Sequence, residues 1–201
     1  MFEAFRKRSF TERALIVSAA ASAALLAGAY LFEALGYSPC PLCLDQRQAH
    51  WLALAIAFTG LTLHMIFRAR LAAAAAVGAA ALVYAVSAGL AFYHSGVEWR
   101  FWPGPKSCAT AASAPATVDD LGEGLNERQR APACEDAQWR LLGLSMAGYN
   151  LLASAGLFAL TLSATLIAAG QARAARRRGP MQAASPPIEA RGAASAARKS
   201  P

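Results

Sequence analysis

Four long apolar stretches limit the folds that this sequence can adopt. They cover residues 14–32, 49–67, 71–93 and 141–169, and none of them contains Asp, Glu, Lys or Arg. A helix of about 20 apolar residues crosses the hydrocarbon core of a bilayer, which is roughly 30 Å thick. Charged residues make up only 15% of the chain, against about 25% in soluble domains. The pattern therefore predicts an all-α integral membrane protein, a bundle of four transmembrane helices.

The distribution of basic residues predicts how this bundle is oriented in the membrane. Lys and Arg are enriched on the cytoplasmic side of membrane proteins. Most of the 19 in this chain lie in the N-terminus, the 68–70 turn and the C-terminal tail. Both termini and this turn should therefore be cytoplasmic, whereas two loops, residues 33–48 and 94–140, should be extracytoplasmic.

The chain divides into a transmembrane domain, residues 1–170, and a basic tail, residues 171–201. The first apolar stretch is longer than the roughly 7–15 apolar residues of a cleaved signal peptide, so we expect a retained signal anchor. The tail is rich in Ala, Ser, Pro and Arg, which predicts a disordered cytoplasmic segment. Pro and Gly in the second outer loop predict irregular backbone, with one short helix at 118–130. The net charge of +7 does not indicate nucleic-acid binding, because the basic residues flank the apolar stretches.

All four cysteines lie in the two outer loops, on the side where disulfides form if the compartment is a bacterial periplasm. The first two belong to Cys40-Pro41-Leu42-Cys43, a spacing that suits a small disulfide ring or a metal site. Proline is favoured in the first turn of a helix. Cys40 is therefore predicted near the N-cap and Cys43 in the first turn, where the helix dipole favours a thiolate.

Arg47 lies four residues after Cys43, so the two side chains are predicted to share one helix face. The cation would favour the Cys43 thiolate and stabilise negative charge that develops on an electron acceptor. At the depth of the lipid headgroups, the flat apolar ring of a quinone could reach this pair from the bilayer. The alternative is a cysteine at a helix start beside an interfacial arginine that extends to the headgroups.

Cys108 and Cys134 lie in the second outer loop, where their pairing is plausible. The Pro- and Gly-rich context predicts a mobile, exposed bridge, and exposed bridges tend to be exchangeable. A structural disulfide that braces the loop is the alternative. Zinc sites of four thiolates usually combine two close-spaced cysteine pairs, and only one such pair is present here. We therefore expect no metal.

Two histidines are candidates for the same site. His94 ends the third apolar stretch at the level of Cys43 and Arg47, where it could hydrogen-bond a quinone carbonyl or simply meet water at the interface. His50 follows Arg47 by about one helical turn and could line the same pocket. An interfacial aromatic belt is predicted from Tyr93, Trp99, Phe101 and Trp102.

Taken together, these features resemble the disulfide bond formation protein B family (DsbB) of bacterial inner membranes. The resemblance rests on Cys-Pro-Leu-Cys with Gln46-Arg47, Tyr93-His94, the two loop cysteines Cys108 and Cys134, and residues 138–146. It covers most of the chain. The family implies a four-helix bundle that reoxidises the soluble periplasmic thiol oxidase DsbA and reduces ubiquinone or menaquinone.

The resemblance also implies a role for each matching cysteine. Cys108 would be attacked by the reduced partner, giving a mixed disulfide, and Cys134 would be its bridge partner. Cys40 would exchange with this pair. Cys43 would be the thiolate that donates electrons to the quinone, which Arg47 would hold or polarise.

His94 occupies the place of a family histidine near the quinone, which implies a quinone contact. The residues after it, Ser95-Gly96-Val97-Glu98-Trp99, depart from the best-known members and could mark a subgroup with a different partner oxidase. Two alternatives therefore stay open. One is the same chemistry with a dedicated partner other than DsbA, and the other is a non-enzymatic membrane protein with structural or metal-binding cysteines.

Overall fold

The computed structural model describes residues 2–6, 8–108 and 133–183, and most of these are helical. Four helices in this described part are long and apolar enough to cross a membrane, as the sequence predicts. The fold is therefore that of a four-helix membrane bundle. In chain order the elements are α1 (Phe2–Arg6), α2 (Phe10–Ala34), α3 (Pro41–Phe67), α4 (Arg70–Glu98), β1 (Arg140–Leu141), β2 (Leu144–Ser145) and α5 (Met146–Ala183).

The helices α2 and α3 begin before their apolar stretches, and a side chain caps each of these starts. Ser9 precedes α2 and accepts the Glu12 N–H at 3.3 Å, while the Glu12 carboxylate accepts the Ser9 N–H at 2.8 Å. This reciprocal capping box fixes a helix start. Cys40 is the N-cap of α3 and Pro41 its first residue, as predicted, although the apolar stretch begins only at residue 49. The apolar stretch indicates which part of α3 contacts lipid, but it does not give the full length of the helix.

The fourth span starts differently from the prediction. Residues 141–145, which were expected within the span, form a small hairpin with Arg140, in which β1 pairs antiparallel with β2. Leu142 and Gly143 at its tip have φ values of 50° and 82°, as a type I′ turn requires. The helix therefore begins at Met146.

The end of α5 also differs from the prediction. This helix continues to Ala183, so residues 171–183 are not part of a disordered tail. The chain falls into two compact units, Met1–Thr165 and Leu166–Pro201, and the described part of the second unit is the C-terminal part of α5. The remaining tail, 184–201, and the helix expected at 118–130 lie outside the described residues.

Within the first unit, α3 and α4 pack through small side chains. Ala53 and Ala57 of α3, like Ala73 and Ala80 of α4, are buried. Small residues let helix backbones approach closely in lipid, where dispersion contacts between helices replace the hydrophobic effect as the source of packing energy. The antiparallel α3–α4 pair is closed by a short turn at Arg68, whose φ of 54° is left-handed.

Gly60 marks the closest approach of α3 to α4. A methyl group added there would lie 2.2 Å from the Ala76 Cβ, which is fixed to its backbone and cannot rotate away. Gly60→Ala is expected to lower the melting temperature of the detergent-solubilised protein, because overpacking of this kind costs about 1–3 kcal/mol. Gly89→Ala, which meets no atom within 4 Å, is the control and should be neutral or slightly stabilising. Equal melting temperatures would contradict this packing.

The end of α2, the start of α3, the end of α4 and the start of α5 meet at one end of the first unit. Arg47, near the start of α3, bonds to Ala29 near the end of α2. Ser145, the last residue before α5, bonds to Glu98 at the end of α4. We call this region, which also contains Cys40 and the β1–β2 hairpin, the cysteine end.

Candidate functional site

The first cysteine pair lies at the start of α3. Cys40 caps the helix by accepting the Cys43 N–H at 3.3 Å, and the two Sγ atoms are 2.7 Å apart. Both are free thiols. The hydrogen bond with Cys43, together with burial, raises the pKa of the Cys40 thiol. Cys40 is buried and Cys43 is partly exposed, so the two sulfurs differ in access.

The second pair packs against the first. Cys108 and Cys134 form a disulfide with a Cα–Cα distance of 5.5 Å. Both belong to one hydrophobic cluster with Cys40, and Leu42 and Val97 complete its buried part. All four cysteines therefore lie within one region. The prediction of an exposed bridge is wrong, because Cys108 and Cys134 are only 4% and 1% accessible to solvent.

Trp102, which was predicted in an interfacial aromatic belt, packs against the hydrophobic cluster that contains the cysteines. Its ring packs over Gly96, where an added Cβ would meet it at 2.0 Å, and its Nε1 donates to the Tyr93 carbonyl at 2.9 Å. The side chain is half-buried against the cysteines, whereas Trp99 and Phe101 are exposed. Only glycine at position 96 leaves room for this arrangement.

His94 lies between the cysteine pairs. Its Nε2 is 3.6 Å from the Cys40 Sγ, and the ring also interacts with the backbone of Cys134. The Gln46 amide nitrogen donates to the Leu42 carbonyl at 3.2 Å and faces His94 Nδ1 at 2.9 Å. Because a carbonyl can only accept, this orientation makes Nδ1 an acceptor, so the hydrogen of the neutral imidazole is on Nε2.

Beside the thiols is a cavity of about 370 Å³ between the helices. Its volume lies in the range of small-molecule pockets, roughly 300–1,000 Å³. Its apolar lining includes Phe32, Trp139 and Met146. The predicted site residues that line it are Cys40, Cys43, Arg47, His50 and His94.

Arg47 is held at this cavity by α2. Its Nη1 donates to the Glu33 carboxylate at 2.5 Å and its Nη2 to the Ala29 carbonyl at 3.1 Å. The guanidinium also lies 5.0 Å from the centre of the Tyr30 ring, within the range of a cation–π contact. These contacts immobilise a cation beside Cys43, and Glu33 is a partner that sequence reasoning missed.

His50 is buried deeper in the same cavity and joins a chain of hydrogen bonds. Its Nε2 is 2.7 Å from the Asn150 Oδ1, and its Nδ1 is 3.1 Å from the Ser22 Oγ. The Asn150 amide donates in turn to the Gln46 Oε1 at 2.6 Å. The network thus connects His50 to His94 through two amides and ties α2, α3, α4 and α5 together.

The family model described as disulfide bond formation protein DsbB matches residues 11–164. The chain belongs to the DsbB family. Searches of curated proteins and of solved structures return no significant match. Membership makes this a thiol–disulfide oxidoreductase of disulfide bond formation, and its four apolar helices make it a multi-pass membrane protein. The matched range includes all four cysteines.

In this DsbB-family protein, several residues of the site were missed from sequence. Asn150 carried a usable signal, because a polar side chain inside a transmembrane stretch is a candidate functional residue. Glu98 carried another, since it follows His94 by four residues and so shares its helix face. Gln46 had been noted only as part of the motif with Arg47. Glu33 carried no such signal, because its partner lies on another helix.

A metal is not favoured at this site. The donor atoms of Cys40, Cys43 and His94 lie within 4.8 Å of one another, but the orientation of Gln46 leaves a hydrogen, not a lone pair, on the histidine Nε2. A site of four thiolates is also excluded in this state, because Cys108 and Cys134 are bonded to each other.

Proposed function

We propose that this protein oxidises a periplasmic DsbA-like dithiol protein and transfers the electrons to a membrane quinone, ubiquinone or menaquinone. The observation that carries the proposal is the packing of both cysteine pairs in one cluster beside an apolar cavity lined by Cys43 and Arg47. A structural disulfide alone would need neither the second pair nor a cavity open to its sulfurs.

The first exchange takes place at Cys108. The thiolate of the reduced partner attacks this sulfur, a mixed disulfide forms, and Cys134 leaves as a thiolate. Because Cys108 is buried, the attack requires a rearrangement that uncovers it. The part of this protein that covers Cys108 would then help to select which partner can react.

The second exchange takes place between the pairs. The Cys134 thiolate attacks Cys40 when Cys40 is bonded to Cys43, and Cys43 leaves as the thiolate. His94 supports this step, since it contacts both Cys40 and the Cys134 backbone. A second thiol of the partner then resolves the mixed disulfide and releases Cys108. The Cys108 sulfur attacks Cys134, which re-forms the Cys108–Cys134 bridge and releases Cys40, and Cys40 takes up the proton that the partner's thiol lost. The partner leaves oxidised, and two electrons remain on the Cys40–Cys43 pair.

Arg47, His50 and His94 are the residues that would hold the quinone. The cavity suits a flat apolar ring, and Arg47 supplies a fixed cation beside Cys43. When bound, a quinone accepts two electrons and two protons. Arg47 stabilises the Cys43 thiolate and the negative charge of the reduced ring. The two histidines would line the ring at two positions of the same cavity.

The cysteine end is proposed to face the periplasm of a bacterial inner membrane. Support comes from the basic residues at the opposite ends of the helices, which the positive-inside rule assigns to the cytoplasm. A periplasmic location also suits the Cys108–Cys134 disulfide, because cytosolic thiols are kept reduced.

Quinone reduction by purified protein in nanodiscs tests the function. A reduced DsbA-like protein and a soluble quinone are added, and quinol formation is followed by absorbance. We expect turnover with the intact chain and none with any of the four single Cys→Ser variants. A dedicated partner other than DsbA would be identified from the mixed disulfide trapped at Cys108. Stoichiometric zinc and no quinone-dependent loss of thiols would instead support a non-enzymatic protein.

A further inference from the structure

Glu98 is a buried carboxylate at the cysteine end to which the proposed cycle gives no role. It is the last residue of α4, is 8% exposed and lines the same cavity as the two thiols. Burial of a carboxylate is unfavourable unless the group is paired or hydrogen-bonded. Asp136, another acid at this cavity, is exposed to solvent.

Ser145 fixes the orientation of the Glu98 carboxylate. Its Oγ accepts the Gly148 N–H at 3.2 Å and donates its own hydrogen to Glu98 Oε2. One carboxylate oxygen is therefore committed to accepting from the hydroxyl. The other, Oε1, lies 3.8 Å from His94 Nε2 and is available for a proton.

Cys40 lies near the same ring nitrogen. Its sulfur is 3.6 Å from His94 Nε2 and 3% exposed, so bulk water has little access to its proton. His94 cannot take that proton, because its Nε2 already carries a hydrogen and its Nδ1 accepts from Gln46. The ionisable groups around the carboxylate are Cys40, Cys43, His94 and Arg140.

We propose, on the basis of the function proposed above, that Glu98 is the base that removes the proton of Cys40 when the dithiol is reoxidised. The proton passes from the sulfur to Oε1 through one bridging water, since both atoms lie near the same ring nitrogen. The raised pKa of Cys40 makes such a base useful.

The proton balance of the step is complete. The S–S bond forms with loss of two electrons and of the Cys40 proton, since Cys43 is already a thiolate. The quinone takes up two electrons, one proton that matches the one lost by Cys40 and a second proton from solvent to become the quinol. The proton of Cys40 passes to Glu98 Oε1 and from there into the cavity that Glu98 lines. The carboxylate is thereby regenerated in every cycle, and no further reactant is required.

Glu98→Gln keeps the shape of the side chain and removes the base. We expect oxidation of the reduced protein by a soluble quinone, followed by stopped flow over a pH series, to slow by about 10²-fold. The loss should shrink as pH rises, because a growing fraction of Cys40 is then already ionised and needs no base. Asp45→Asn removes an exposed carboxylate from α3 and should keep the wild-type pH profile. A wild-type rate and profile in Glu98→Gln would overturn the proposal.

A second measurement does not depend on the quinone. In a Cys43→Ser background, the alkylation rate of Cys40 against pH reports its thiolate fraction. After the contacts with Cys43 and burial, the negative charge of Glu98 also raises the pKa of Cys40. Glu98→Gln should therefore shift the alkylation midpoint modestly to lower pH even though turnover is slower. A merely structural role would not combine these effects, and an unmoved midpoint would refute the role of Glu98. Failure of the wild-type protein to reduce any quinone would refute the proposed function. The alkylation measurement would still test whether Glu98 acts on Cys40.

Ser145→Ala tests the same carboxylate without removing it, which matters if Glu98→Gln does not fold. Loss of the hydroxyl donor favours the protonated carboxyl group. The acidic limb of the turnover profile should therefore move to higher pH, with little change at alkaline pH. An acidic limb that coincides with wild type would count against Glu98 as the base.

Discussion

Replacing Cys43 with serine is expected to stop quinone reduction while the mixed disulfide between Cys108 and the partner still forms. The reason is that the two steps use different sulfurs. Cys108 belongs to the outer disulfide, whereas Cys43 starts α3 beside the cavity and Arg47. Cys40 also lines the cavity, but without the Cys43 sulfur it has no partner for the disulfide that quinone reduction would leave.

The disulfides that accumulate distinguish this variant from its control. In Cys43→Ser the Cys40 thiolate can attack Cys134 of the Cys108–Cys134 bridge, and Cys108 leaves as a thiolate. The resulting Cys40–Cys134 link should accumulate, because no Cys43 thiol remains to displace Cys134 from Cys40. Cys40→Ser should not form this link. Peptide mapping under non-reducing conditions reads both outcomes, and absorbance reads quinol formation. Normal quinol formation by Cys43→Ser would show that the assignment of the electron donor is wrong.

Arg47→Ala is expected to raise the apparent KM for quinone by about ten- to a hundredfold. A hydrogen bond to a charged group contributes roughly 1.5–3 kcal/mol, and each 1.4 kcal/mol is about a factor of ten in affinity. The guanidinium is already positioned by Glu33, Ala29 and Tyr30, so the quinone would bind a preorganised cation. Steady-state kinetics with varied quinone measures the effect.

Two further variants make the Arg47 result specific. Arg47→Lys keeps the charge but loses the planar donor fork, so its KM should lie between those of wild type and Arg47→Ala. Arg70→Ala removes an exposed arginine at the start of α4, far along that helix from His94, and should leave KM unchanged. An unchanged KM in Arg47→Ala would remove this residue from the quinone site.

The start of α3 could be read from local sequence because local rules govern it. Pro41 fits the first helical turn and has no N–H to satisfy, which leaves Cys40 as the cap and Cys43 in the first turn. Arg47 follows on the same face by helical periodicity. These relations involve residues within one or two turns of each other, so no other helix is needed to establish them.

The start of the fourth span could not be read in the same way. Residues 141–145 contain no charged residue and continue the apolar stretch of the fourth span. Leu142 and Gly143 nevertheless adopt positive φ and form a turn. The prediction of an exposed disulfide, made from the Pro- and Gly-rich loop, was also wrong. Cys108 and Cys134 are buried against Cys40, and burial depends on which surfaces meet.

The sequence by itself determined the four spans, the cysteine spacing and the family, because apolar length and short motifs are properties of neighbouring residues. Only the tertiary structure decided which polar groups meet. It placed Glu33 on Arg47, Asn150 between Gln46 and His50, and Glu98 beside His94 with its orientation set by Ser145. The physical reason is that most of these contacts join different helices, whose mutual rotation follows from packing of small residues along their whole length.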